Sequence, residues 1–130
     1  MEDKFSDGTL LLMGLLWAVL DGSGPLLLEE PELSLHPEVV RFIPQMFARL
    51  QRRSGRQVFI STHSSDLLQD DGIGLTEALL LQPGSNGTSV CATSQFAEIK
   101  ALLEGGLSLA EAVIPKTAPE NAQQLMFFGE

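Results

Sequence analysis

Two short apolar runs constrain this chain more than any other feature: Leu26-Leu27-Leu28 and Val58-Phe59-Ile60. Neither alternates with polar residues, and each stops abruptly, the first at Glu29-Glu30 and the second at Ser61-Thr62-His63. Continuous apolar runs of this length fit strands covered on both faces, as parallel sheets require. Helical segments flank and separate them. The expected fold is therefore α/β, layered, with a mainly parallel sheet whose ligands sit at the C-terminal ends of the strands.

The flanking segments fill in that frame. Leu10 to Leu20 is rich in Leu, Met, Ala and Trp and apolar on every side. It predicts a buried helix with Ser6 or Asp7 near its N-cap, ended by the breaker cluster Asp21-Gly22-Ser23-Gly24-Pro25. Pro37 suits the first turn of a second helix, which runs through Arg53 with Val40, Phe42 or Ile43, Phe47 and Leu50 on one side. Pro44 conflicts with an unbroken helix there. Ser54-Gly55 closes it. After Asp70 the texture changes: Ala78 to Gln82 and Thr88 to Thr93 read as a hairpin around Pro83 to Gly87, with Asn86-Gly87 as its turn. Two helices, Gln95 to Glu104 and Leu107 to Val113, follow on either side of Gly105-Gly106. The apolar end Leu125-Met126-Phe127-Phe128 is expected to dock against the rest.

At 130 residues, 44% apolar and 19% charged, the chain has the balance of one modest globular domain. Its net charge of −9 argues against a broad nucleic-acid surface on this segment. The single cysteine, Cys91, falls in a strand and reads as a small core residue in a reducing interior. Met1-Glu2-Asp3-Lys4 opens no secretory pattern. Leu10 to Leu20 is shorter than the roughly 20 apolar residues that span a bilayer. A cytoplasmic protein without a membrane partner is the simplest expectation.

The polar groups at the two strand ends carry the chemistry. Adjacent carboxylates closing an apolar strand are costly to bury unless they hold a cation or polarise water; a solvated turn is the plainer reading of either end alone. Together they resemble something more specific. Leu26 to Glu30 resembles a Walker B strand, and with Pro31-Glu32-Leu33-Ser34-Leu35-His36-Pro37 it is similar to the EEPE…LHP segment of ABC-like P-loop ATPases. That variant recurs in the branch related to the RecF and OLD families and the chromosome-maintenance ATPases. Ser61-Thr62-His63-Ser64 resembles the switch-histidine loop, and Phe5-Ser6-Asp7-Gly8-Thr9 resembles the ABC signature. The order signature, helix, Walker B, D-loop, helix, switch histidine also fits. The resemblance is strong from Phe5 to about Leu68 and only generic beyond Leu75.

The resemblance implies a partial P-loop NTPase (RecA/ABC-like) domain over 1–130. Residues 5–70 would carry the motifs, and 71–130 a C-terminal hairpin and helices. It implies ATP and Mg²⁺ as ligands. Glu29 would orient the Mg²⁺ shell, Glu30 would position the attacking water, and His63 would contact the γ-phosphate. Ser6, Gly8 and Thr9 at a helix N-terminus would bind the ATP of an opposite protomer, with Ser34 of the D-loop beside them. Ser6 also reads as a plain N-cap. His36 reads as a loop or dimer-contact residue, and Arg49, Arg52, Arg53 and Arg56 as a cluster complementing a helix dipole, or as a DNA or partner contact.

No G-x-x-x-x-G-K-[ST] occurs anywhere in the chain, so the backbone cradle for the phosphates and its lysine are lacking. Only four residues precede Phe5. The chain is accordingly expected to be a truncated product or one half of a split ATPase, inactive until complemented by a Walker A half, with that N-terminal half or a second copy of the chain (a homodimer) as its expected partner. DNA is a possible partner through the full-length protein. The expected role is DNA repair, genome maintenance or phage defence. A non-catalytic regulatory fragment is the alternative, and a transporter ATPase fragment a third reading.

Overall fold

The computed structural model describes residues 7–119 and 121–127. They divide into two compact units, one ending at Gly72 and one beginning at Ile73.

The first unit is built on helix α1 (Asp7–Leu20), strand β1 (Leu26–Glu29), helices α2 (Pro37–Val40) and α3 (Ile43–Ser54), and strand β2 (Val58–Ser61). β1 and β2 pair in parallel, with Leu26 opposite Val58 and Glu29 opposite Ser61. The ladder extends at both ends, through the amide of Leu26 to the carbonyl of Gln57 (2.9 Å) and the amide of Glu30 to the carbonyl of Ser61 (2.8 Å). Leu26, Leu28, Val58 and Ile60 pack on a core of Val19, Val40, Ile43, Phe47 and Leu67. The result is a mixed α/β unit with a small parallel sheet, compatible with a P-loop-like fold.

Two expectations about burial are corrected. The strands are covered on one face only: Leu27 is 75% exposed, and Phe59, opposite it, is also exposed. Alternate side chains project to opposite faces, and among the described residues the core lies against one of them. Likewise α1 buries Leu15 and Val19, while Trp17 (71%) and Leu20 (70%) face solvent. An all-apolar helix needs neighbours all round, and here its packing comes mainly from α3.

Pro44 is accommodated by a break. α2 ends at Val40, and α3 restarts at Ile43, which places Pro44 in the first turn of a new helix, where its missing N–H leaves no hydrogen bond unmade. His36 caps α2, its Nδ1 accepting the Glu38 amide at 3.2 Å, with Pro37 directly after it. Gly55 closes α3 at φ 68°, the left-handed conformation glycine adopts without steric cost.

Arg56 plays a part that its position beside α3 does not suggest. Its guanidinium reaches the C-terminal end of α1, donating to the carbonyls of Ala18, Val19 (3.2 Å) and Asp21 (2.8 Å), and to that of Gly24 (2.6 Å). These carbonyls lie at and beyond the last turn of α1, where helical partners run out. Arg52 and Arg53 lie in the last turn of α3, whereas α1 is the helix that Arg56 serves.

The second unit holds the antiparallel hairpin β3 (Leu79–Gly84) and β4 (Gly87–Ala92), then α4 (Ala97–Glu104) and α5 (Leu109–Val113). In the hairpin turn the positive φ (116°) falls on Gly87 and not on Asn86. Cys91 lies on β4 and is half-buried. Leu80 and Ile99 are buried, as are Leu109, Ala110, Ala112 and Val113 of α5. Thr93, fully enclosed, donates its hydroxyl to the carbonyl of Leu75 at 2.7 Å. Ser108 opens α5 with a reciprocal cap: it accepts the Glu111 amide while Glu111 accepts the Ser108 amide. At the end of the turns spanning Ala122–Phe127, Phe127 is exposed instead of docked, and Phe128 lies outside the described residues.

Candidate functional site

The site candidates gather where β1 and β2 end. Glu29 closes β1, exposed, with Ser61 as its register partner on β2. Glu30 then leaves the strand in the left-handed region at φ 43°. That conformation costs a non-glycine residue on the order of 1 kcal/mol or more and persists only where the surroundings enforce it. Here the enforcement is visible. The Glu30 amide is tied to Ser61, Pro31 behind it is buried, and the Glu30 carbonyl accepts the amide of Leu33 at 3.1 Å. A second turn follows, with the Leu35 amide donating to the Glu32 carbonyl (3.0 Å) and Ser34 at φ 68°. The two non-glycine residues with positive φ among those described, Glu30 and Ser34, are thus both candidate site residues.

On the neighbouring strand end, His63 places Nε2 4.0 Å from Oε1 of Glu30. That is too long for a hydrogen bond. The two groups are juxtaposed without being locked, and His63 is 83% exposed against 36% for Glu30. An acceptor and an imidazole facing one gap can address the same water or phosphate oxygen. Among the described residues no three His, Cys, Asp or Glu side chains form a metal cage. The exposed Glu29 carboxylate beside Ser61 is an oxygen donor of the kind that a hard cation such as Mg²⁺ takes.

Gly8 and Ser34 form a separate pair. A Cβ placed on Gly8 would lie 2.8 Å from the Ser34 carbonyl oxygen, closer than real Cβ contacts come, so the first turn of α1 and the turn after Glu32 touch through backbone. Contact with Ser34 of the same chain is therefore one physical reason for a glycine at this position, independent of any phosphate. Thr9 lies beside it in the first turn of α1. Ser6, the remaining signature candidate, lies outside the described residues.

Sequence reasoning missed two contributors. Thr62 donates its hydroxyl to Oε1 of Glu32, and the Thr62 hydroxyl oxygen accepts the Ser64 amide at 2.9 Å. The other Glu32 carboxylate oxygen, Oε2, is buried with no hydrogen-bond partner among the described residues. Glu32 belongs to the acidic segment after β1, and its link to the histidine loop appears only in the fold.

A family model described as "AAA domain, putative AbiEii toxin, Type IV TA system" matches residues 2–70, just over half of the chain. The match contains every candidate site residue and stops two residues short of the first unit's end. No curated protein and no solved structure matches the chain.

Proposed function

The chain belongs to this AAA-domain family of P-loop ATPases, and from that premise we propose that its first unit is the signature and Walker B half of an ATP-hydrolysing site. The observation that carries the reading is the juxtaposition of Glu30 and His63 at the ends of a parallel strand pair. Glu30 accepts a hydrogen bond from the attacking water, which positions and polarises it. His63, across the 4.0 Å gap, orients that water and the γ-phosphate. Glu29 faces the metal side. Mg²⁺, when bound, supplies neutralisation of the charge on the β- and γ-phosphate oxygens. Gly8, Thr9 and Ser34, with Ser6 ahead of them, offer the α1 N-terminus to the nucleotide of an opposite protomer.

The phosphate cradle, absent from the sequence, comes from a Walker A segment in another polypeptide or another part of a longer protein. The uncovered Leu27–Phe59 sheet face supports that complementation. Within the family the proposed branch is the one related to RecF, OLD and chromosome-maintenance ATPases, acting in DNA repair, genome maintenance or phage defence. The family's description in toxin–antitoxin terms favours the defence side over transport. Alone, the chain hydrolyses ATP negligibly.

The test supplies a Walker A segment from a member of the same family in trans and compares wild type with Glu30→Gln. Wild type is expected to turn over ATP. The variant is expected to retain ATP while turnover falls by about 10² or more, within the range general-base removal produces. Undiminished turnover by Glu30→Gln would remove Glu30 from the mechanism, and ATP-independent behaviour of the complex would favour a non-catalytic module.

A further inference from the structure

We propose that Glu32 and Thr62 are positioning residues that set the spacing between Glu30 and His63, an inference that rests on the ATPase reading above. His63 is too exposed for packing to fix its place. The residues on either side of it are anchored instead. Thr62 has one hydroxyl proton, which it gives to Glu32, leaving its lone pairs to accept the Ser64 amide at 2.9 Å. Ser64 in turn accepts the amide of Leu67 on Oγ at 3.3 Å, and Leu67 is buried in the core of the first unit. The chain Glu32–Thr62–Ser64–Leu67 therefore brackets His63 on both sides and ends in the core.

The other end of that chain is the turn carrying the water-positioning carboxylate. Glu32 follows Glu30 by two residues, and the turn that joins them is closed by the Leu33 amide on the Glu30 carbonyl and the Leu35 amide on the Glu32 carbonyl. The Glu32–Thr62 contact is thus a side-chain tie between the turn holding Glu30 and the loop holding His63. A purely structural tie would be served as well by two apolar side chains, because replacing both partners of a hydrogen bond can be nearly neutral. Here the tie is made by a carboxylate whose Oε2 is buried with no hydrogen-bond donor among the described residues. The carboxylate thus serves the tie through Oε1 alone, the oxygen that meets the Thr62 hydroxyl.

The test has two arms. In the 130-residue chain, amide hydrogen exchange at Ser64 is measured for Glu32→Ala and Thr62→Val, with the Phe47 amide as the core reference. Ser64 exchange is expected to speed up about tenfold, matching loss of one hydrogen bond, with the reference unchanged. Thr62→Ser and Glu32→Gln, which keep an oxygen at each place, recover most of the protection. Unchanged Ser64 exchange, or equal acceleration at Phe47, overturns the proposal. In the complemented ATPase, Thr62→Val is expected to lower kcat about tenfold, as small misplacements of catalytic groups do, with KM within about twofold. A rise in KM alone also overturns it. If the unsubstituted complex shows no turnover, the ATPase reading fails, and the exchange arm still decides whether the tie exists.

Discussion

Gly8 shows how a single residue can be required for a reason other than the obvious one. In the signature-like segment its backbone would be assigned to phosphate, yet its immediate neighbour is the Ser34 carbonyl, 2.8 Å from where a Cβ would sit. The obstacle is backbone and cannot rotate away. Gly8→Ala is therefore expected to destabilise the chain by about 1–3 kcal/mol, as overpacking does, visible as a lowered urea midpoint without nucleotide present. Gly14, with open space around its Cα, is the control on the same helix: Gly14→Ala should stabilise by up to about 1 kcal/mol. If Gly8→Ala leaves the midpoint unchanged, the contact with Ser34 carries no energy and phosphate binding alone explains the glycine. Arg56 teaches the converse. The sequence places it in a basic cluster around one helix end, whereas its guanidinium reaches carbonyls of another helix more than thirty residues earlier. Long-range hydrogen bonds of this kind leave no spacing signal, so they are legible only once the elements are packed.

At the scale of elements, legibility followed the strength of local chemistry. The parallel pair was readable because Leu26-Leu27-Leu28 and Val58-Phe59-Ile60 are short, apolar and bounded, and the hairpin because Asn86-Gly87 separates two strand-like runs. Pro37 and Gly55 marked true boundaries. The break between α2 and α3 was foreshadowed by Pro44, and its resolution is stereochemical: a proline unwelcome inside a helix is suited to the start of the next. The Ser108 cap of α5 carries a pH prediction. The backbone amide of Ser108 and then its hydroxyl donate to Glu111 and hold that carboxyl below the usual carboxylate range. A folded-state pKa below the unfolded one gives a contribution that is complete above the unfolded value and is lost as pH falls through the folded value. The loss therefore sets in as pH falls through the ordinary glutamate range and continues below it. Urea midpoints at pH 7 and pH 3 are expected to fall less for Glu111→Gln than for wild type, because the amide cannot lose a charge. Ser108→Ala should cost about 1 kcal/mol at pH 7. Equal acid sensitivity of Glu111→Gln and wild type would show that the cap has no charge dependence.

For the whole molecule, the candidate site was legible in its residue types and its chain order, while burial was not. Uniformly apolar runs announce that neighbours are needed on every side; they do not say whether those neighbours belong to the same polypeptide. In the described residues they do not, since Leu27, Phe59, Trp17 and Leu20 all face solvent, and the two-stranded sheet of the first unit pairs with no further strand. Burying a leucine or phenylalanine side chain is worth about 1.5–3 kcal/mol, and an open sheet edge is a template for further pairing. The free chain is therefore expected to associate as its concentration rises, its sedimentation coefficient increasing across the micromolar range. The net charge of −9 opposes association at long range, so added salt should strengthen it. Leu27→Lys with Phe59→Lys targets the uncovered sheet face directly. Because both side chains are already exposed, the double variant should unfold within about 1 kcal/mol of wild type while sedimenting as a monomer. It should also lose complementation by the Walker A segment. A wild-type chain that stays monomeric at every concentration, or a lysine pair that still complements, would mean that this face is simply a solvated surface and that the ATP site is completed elsewhere.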